Sequence, residues 1–521
     1  MENNSYDCVI VGTGPNGIAA ATAAVKKFKK VLILDGGRKL EVNKQNVIDR
    51  LSNTPVNLWL SSDKEIYQNL LQNDQRQKSH IGSKLQFGSD FPYENRKEFF
   101  FGSTKVNNEL KAYPSLSTGG LSNVWGSICL PIPTRDQENW ALKISEGSFT
   151  EMNKILKISA NLDDLAENFH LSGVSNPALL LNSLGRNLLR KYDKHKNSAV
   201  FSNFLFGQTR VAVENLFDGT SSGCKYCGLC ATGCPEGSIW NSANELIKLI
   251  RFSNVEYFNS YTVDRFIESN NKVIVYTSNK EVKFSTNYLI ITAGALMSSA
   301  IILNSINHQN EIILNDTQQT IIPCFMIRRQ LIDDPGFVLS QVLGYKFDQV
   351  GKVDNFIQIL GYNSDMINRV RTLFPLSRLV HKRIIEYVLS HIAVVMIFQK
   401  PSVSGTISIK KHDETISIKP VIDNKKSLFD LSSWRLIKKA LKKLGMFPLK
   451  PLSQIVGIGE SYHFGSGKFT NGASVTDERG LIKGFQSVYN LDCLSLESIV
   501  PGPLTFTQMA RSYKIIEELQ N

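Results

Sequence analysis

The chain has 521 residues, which at about 150 residues per domain means two to four domains or one large composite. Apolar residues make up 42%, charged residues 20% and aromatics 9%, near the globular average, which excludes a disordered, collagen-like or low-complexity chain. Basic residues outnumber acidic ones 59 to 47, a net charge of +12 that favours acidic substrates, nucleic acid or a membrane surface as partners.

The longest uncharged apolar stretch, residues 387–399, falls short of the roughly 18–20 residues that a membrane span needs. The opening MENNSYD lacks the basic-then-apolar pattern of a signal peptide, so a cytoplasmic protein is expected. In that reducing setting the eight cysteines point to ligands or core fillers rather than disulfides.

Residues 6–11 read as a buried strand, and Gly12, Gly14 and Gly17 follow it. An alanine-rich helix spans about 18–28, and a second strand, 31–34, ends at Asp35. Apolar runs alternating with a helix mark a parallel βαβ unit. In that setting Gly12 allows the tight turn, Gly14 lets backbone approach a pyrophosphate, and Gly17 lets helix and strand pack closely. The helix N-terminus then faces the anion, and Asp35 is placed to hydrogen-bond a ribose hydroxyl. These residues predict nucleotide binding and leave flavin or nicotinamide open.

Residues 39–111 are polar and predict loops and short helices over the first domain. A glycine-punctuated segment, STGGLSNVWG, opens residues 117–140. Residues 150–200 predict helix, with Leu179, Leu180, Leu181 and Leu184 at apolar spacing.

Cys224, Cys227, Cys230 and Cys234 fit C-x₂-C-x₂-C-x₃-C-P, the bacterial ferredoxin run, in which thiolates wrap a cubane cluster. Gly228, Ala231 and Gly233 leave room for the backbone to bend round a [4Fe-4S] or [3Fe-4S] cluster. In two-cluster ferredoxins the fourth cysteine serves the other cluster, and no second run exists here. A complete set needs Cys234 to fold back, or a distant thiol such as Cys129 or Cys324. Zinc and a metal-free loop fit the same residues. Cys8 and Cys493 read as core fillers.

A helix is expected at 243–250, strands at 256–266 and 272–276, and a very apolar strand at 288–294. Period-two segments at 405–411 and 415–420 predict a hairpin with one wet face, inside a mostly antiparallel second domain. Between Leu431 and Gly459 there is no acid and there are six bases. Trp434, Ile437, Leu441 and Leu444 recur there at helical spacing. Such a basic amphipathic helix suits an anionic membrane surface, and equally a solvated helix packed on the second domain. No nucleic-acid motif accompanies it, so no nucleic-acid partner is expected.

Four segments carry a resemblance. GTGPNGIAAATAA with VLILDGG resembles the opening of the glucose–methanol–choline (GMC) oxidoreductases, which bind FAD. STGGLSNVWG with Asp136 and Trp140, the strand YLIITAGA, and SYHFGSG with the 489–510 tail resemble later family segments, in the family's order. The resemblance implies an α/β fold, with a Rossmann-type FAD-binding domain assembled from residues 1–45, 100–145, 215–325 and 451–521. A cysteine insert would lie at about 221–242, and an α+β substrate domain with a mostly antiparallel sheet at 330–450. Residues 46–99 and 146–214 would cover both. Implied FAD contacts are Gly12, Gly14, Gly17, Asp35, Gly120, Asn123, Val263, Gly294, Asp492 and Thr505.

The family oxidises a CH–OH group by hydride transfer to flavin while a base takes the hydroxyl proton. His463 matches the family's catalytic histidine, and a histidine tuned near neutrality suits the task. The family's second histidine or asparagine, eleven residues after Asp492, is here Pro503, which has no side-chain hydrogen-bonding group. Some alcohol-oxidising members carry a cysteine-rich segment at this place in the chain. The expectation is a dehydrogenase acting on a sugar, sterol or lipid-like alcohol and passing electrons through an iron–sulfur cluster to an unidentified acceptor. A non-redox lyase of the same fold and a flavin/iron–sulfur electron relay are the rivals.

Overall fold

The computed structural model describes all residues except 1–4, 61, 63–84, 94–104, 107–109, 111, 170–175, 216–222, 278–281, 308, 332–337, 363–365, 368–369, 372–374, 414, 422–430 and 521. Among the described residues three larger sheets organise the chain. The first runs Val255–Phe258, Val31–Leu34, Ser5–Val11, Lys283–Ile291, Lys272–Thr277, Val263–Ser269, and Val488–Asn490 pairs with Lys283–Ile291. Val255–Phe258, Val31–Leu34, Ser5–Val11, Lys283–Ile291 and Val488–Asn490 are mutually parallel. Their near-continuous apolar content follows from burial on both faces.

One face is covered by the Pro15–Lys27 helix, whose alanines let it approach closely, and by the closing Thr505–Glu518 helix. The Ala295–Ser305 helix packs on the other. Because these strands are parallel and in register, Val11 lies beside Ile291 and Ile291 beside Asn490. Three loops therefore leave the same C-terminal edge side by side, the place where open α/β sheets bind ligands.

A second sheet is entirely antiparallel. Its order is Met446–Pro448, Gln319–Met326, Ile392–Gln399, Val353–Leu360, Val342–Phe347, Phe204–Gln208, with Gln454–Ile455 also on Gln319–Met326. It draws strands from 204 to 455, well outside the 330–450 window expected for an antiparallel domain. The Thr406–His412/Thr415–Val421 hairpin, expected inside that domain, joins a different sheet, beside Glu311–Asp316 and Phe464–Phe469.

The basic helix forms over Leu431–Lys443. Trp434, Ile437, Leu441 and Leu444 are all buried against one face of the antiparallel sheet, beside Ile322, Val395 and Ile397. The apolar stripe is spent on the core, so this helix has no apolar face left for a membrane. The packed, solvated reading holds for it.

Candidate active site

Gly12 has φ +98°, and a Cβ there would stand 2.7 Å from the Thr292 carbonyl oxygen. A Cβ on Gly17 would strike the Gly12 carbonyl. Both glycines are demanded by packing. Gly14 is different, because a Cβ there meets no atom within 4 Å. Its loop opens onto free space at the edge where the three strands end. Gly294, at φ +82°, opens onto space in the same way.

Three helices start at this edge without a side-chain cap, with Gly14, Gly294 and Leu504 at their N-cap positions. Elsewhere Ser145, Asp163, Asn182 and Asn241 cap their helices through a side chain. Uncapped first-turn N–H groups attract an anion. The backbone N–H groups of these helix starts are the donors that fit the pyrophosphate of FAD.

Asp35 lies buried at the end of its strand. Its Oδ2 accepts from Thr13 N, at 3.0 Å, and from Thr13 Oγ1, while Oδ1 accepts from Gly37 N at 2.6 Å. Burial pushes its carboxyl up to about 6, against the pull of those bonds. Gly119 N donates to Thr13 Oγ1 at 2.8 Å, so Thr13 ties the first glycine loop to the second. Sequence reading passed over Thr13 because only the glycines of the motif have a stated job.

A Cβ on Gly120 would stand 3.3 Å from Gly14 Cα, which places the second glycine segment against the first. Asn123 spends its amide inside that segment: Nδ2 donates to the Thr118 and Gly120 carbonyls, and Oδ1 accepts from Asn241. Val263 is buried in the core below the parallel sheet. Asp492 is buried, accepts from Ser298 Oγ at 2.5 Å and from Leu494 N at 2.9 Å, and burial raises its carboxyl. Thr505 opens the closing helix, and Gln508, one turn on, donates to the Leu491 and Asp492 carbonyls.

His463 precedes the Phe464–Phe469 strand and follows Tyr462, a non-glycine residue at φ +56°. Its carbonyl accepts from Thr317 N and Oγ1, at 3.1 and 3.0 Å. Its N–H donates to Ser461 Oγ at 3.2 Å, and Ser461 Oγ donates to Asp316 Oδ1 at 3.3 Å. Asp316 also accepts from Gly459 N, and burial lifts its carboxyl to about 7. The backbone of His463 is thus held from two sides, which leaves the ring to act.

That ring stacks on Phe398, with centroids 4.8 Å apart, and its Nδ1 is buried without a hydrogen-bond partner. Burial lowers the imidazole to about 4. A value near neutrality was expected; instead the apolar wall keeps the ring neutral and able to accept a proton.

The wall extends along the antiparallel sheet. Phe398 is the register partner of Phe356, and Phe356 of Tyr345. The rings step at 5.6 Å and 5.0 Å, and Tyr345 then stacks on Phe169 at 4.6 Å. Gly502, next to Pro503, would place a Cβ 3.5 Å from the Tyr345 hydroxyl. Burial chiefly, offset by Arg210 and assisted by Asp136, holds that phenol far above its usual range. It stays protonated and can only donate when it meets a stronger acceptor. No spacing rule links residue 345 to residue 503, so no local pattern points to it.

Of the four clustered cysteines, Cys224 and Cys230 pack on the same side of the sheet as Tyr345 and Phe356, and Cys227 packs instead beside Trp59 and Phe87. Backbone N–H groups of Tyr226, Leu229 and Val338 donate to the sulfurs of Cys224, Cys227 and Cys230. Burial nevertheless pushes the Cys224 and Cys227 thiols up to about 11 and about 12. Among the described residues no group of three or more His, Cys, Asp or Glu side chains is arranged to hold a metal ion. Cys129 lies in the core under the alanine-rich helix, and Cys324 on the opposite face of the antiparallel sheet. Neither joins the run. Cys8 is a core filler beside Ile10, and Cys493 packs against the Trp140 cluster.

Residues 101–320 match the family model described as GMC oxidoreductase. The chain shares its fold with pyridoxine 4-oxidase from Mesorbium loti, at a TM-score of 0.57 and 12% identity over 98% of each chain. No curated protein matches its sequence.

Proposed function

We propose that this chain is an FAD-dependent oxidoreductase of the GMC type acting on CH–OH donors, an alcohol dehydrogenase whose base is His463; the match of residues 101–320 to the GMC model supports this reading. The observation that carries this reading is the imidazole itself. It is neutral, stacked on Phe398, fixed through its backbone, and has a buried Nδ1 with no protein partner.

Gly12, Gly14, Gly17 and the uncapped helix starts at Gly294 and Leu504 would hold the dinucleotide, with Asp35 and Thr13 bracing the loop. When bound, FAD supplies the hydride acceptor. His463 accepts the hydroxyl proton of the substrate, and Phe398 keeps water from its ring. The Tyr345 hydroxyl, beside Gly502 at the far end of the aromatic wall from His463, can donate a hydrogen bond to a polar group on the body of the substrate. The aromatic wall of Phe398, Phe356 and Tyr345 favours an alcohol with a flat or apolar body. The fold shared with a pyridoxine 4-oxidase is in keeping with a small aromatic alcohol.

The exit of electrons is a separate proposal. The spacing of Cys224, Cys227, Cys230 and Cys234, and the N–H groups aimed at three of their sulfurs, support an iron–sulfur centre and an acceptor other than dioxygen. The thiols do not form a metal-holding group in this structure, so no step of the proton chemistry runs through it. Iron and acid-labile sulfide in anaerobically purified protein test it: near-stoichiometric amounts support it, and their absence removes it.

Anaerobic mixing of the FAD-loaded protein with candidate alcohols tests the main reading. Bleaching of the flavin by an alcohol supports it. Turnover without bleaching selects a lyase, and response only to a protein reductant selects an electron relay. The Tyr345→Phe variant should bleach more slowly, with its flavin content unchanged.

A further inference from the structure

Three segments carry most of the net charge. Residues 325–331, 375–391 and 431–459 hold eleven Lys and Arg and a single acid, Glu386. Glu386 already faces Lys382 at 3.7 Å. The first two segments also hold nine of the 24 large apolar side chains that are exposed among the described residues.

The Lys382–Ser390 helix turns Ile385 into the protein and Ile384, Tyr387 and Val388 outward. Positions i, i+3 and i+4 lie on one helical face, so the outward side is an apolar stripe. Ile384 is 56% exposed, and Leu379, just before the helix, is 86% exposed. Tyr387 meets the His391 ring at 5.2 Å, and His391 stacks on Phe325 at 5.7 Å. Phe325 is the register partner of Phe447, and both are exposed. The stripe therefore continues without a break from the helix across the edge of the sheet. Arg378 and Arg383 flank it on the helix side, and Arg328 and Arg329 on the sheet side, all of them exposed.

A large apolar patch rimmed by one sign of charge marks an interaction surface. Apolar side chains that point outward beside Lys and Arg match a bilayer with anionic headgroups. No helix among the described residues is long and apolar enough to cross a membrane, so the contact is peripheral. We propose that the face formed by residues 376–391 with Phe325 and Phe447 docks on an anionic phospholipid bilayer. The face lies apart from His463, and its docking is independent of which alcohol is oxidised.

The FAD-loaded full chain should co-sediment with phosphatidylcholine vesicles containing a quarter phosphatidylglycerol, and far less with pure phosphatidylcholine. Each basic side chain near an anionic surface is worth roughly five-fold in partition. Arg378→Glu with Arg383→Glu should therefore weaken binding at least ten-fold, and 0.5 M salt should weaken the wild type. Ile384→Glu with Val388→Glu should abolish binding while flavin reduction by a soluble alcohol and the far-ultraviolet circular dichroism stay as in wild type. Failure to sediment with any vesicle overturns the proposal. Equal binding to both lipids overturns it as well. So does light scattering that shows a dimer dissolved by Ile384→Glu, because the stripe is then a contact between copies of the chain.

Discussion

An imidazole held at about 4 by burial stays unprotonated across the physiological range, so the acid limb of kcat/KM should fall near pH 4 instead of near the ordinary histidine value of 6.5. His463→Ala should slow alcohol-dependent flavin reduction by roughly 10²- to 10⁴-fold, the usual share of a general base. It should also erase that limb while flavin content stays the same. A mutant with the wild-type rate would show that another group takes the proton. Stability follows the same ionisation. The unfolded ring titrates near 6.5, so the folded state keeps its full advantage above that value and loses it as pH falls through about 4. Asp316, two hydrogen bonds away through Ser461, runs the other way. Its carboxyl is lifted from 3.8 to about 7, so its contribution is full below 3.8 and is lost as pH rises through 7. Asp316→Asn should flatten the decline of Tm between pH 4 and 7. An unaltered decline would mean that the carboxyl titrates normally. His463 stood out in the sequence because the residues around it resemble a family signature. Its pKa did not, since Phe398 reaches it from a strand 65 residues earlier in the chain.

Elements were legible where a local period was strong and blurred where tertiary pairing decided the outcome. The Ser5–Val11 strand and the Pro15–Lys27 helix follow directly from the first forty residues. The leucines at 179–184 suggested a helix through all of them, yet it starts at Ser183, because Asn182 caps it by accepting from Gly185 N. The predicted strand 256–266 is two strands, Val255–Phe258 and Val263–Ser269, broken at Ser260, where φ is +59°. The Leu431–Lys443 helix shows why a pattern alone misleads: its apolar stripe meets the sheet, and one end is hydrogen-bonded to a buried carboxylate through Ser433. Asp354 on the sheet accepts from Lys346, from Lys400 at 2.7 Å and from Ser433 of the helix at 2.7 Å. Burial alone would raise the Asp354 carboxyl, but those three partners hold it below its usual value. Its stabilisation is therefore present above pH 3.8 and is lost as pH falls through the lowered value. Asp354→Ala would strand the buried Lys346 charge, so it should cost about 3–5 kcal/mol in denaturant unfolding. A cost within 0.5 kcal/mol would mean that the site relaxes and admits water.

At the scale of the whole molecule, the proposed cofactor site draws on chain segments hundreds of residues apart. Their order along the sequence was readable, but their adjacency was not. Gly14 and Gly120 touch, Gly12 meets Thr292, and Gln508 holds the backbone of Asp492. Each contact depends on strands pairing across the parallel sheet, which no local pattern encodes. A ligand gripped by all these loops should stabilise them as one unit. With FAD at a thousand times its Kd, binding adds about 4 kcal/mol to the folded state. Hydrogen exchange should then slow together in residues 12–17, 117–123, 292–298 and 503–508. The Phe204–Gln208 strand, at the far edge of the antiparallel sheet, should gain much less by direct contact. In Gly14→Val the added side chain fills the space over the first loop, and protection should be lost from all four segments at once, with the fold retained. Protection confined to residues 12–17 would mean that the remaining loops do not grip the dinucleotide. The site would then be a single glycine loop, and the discontinuous architecture would serve packing alone.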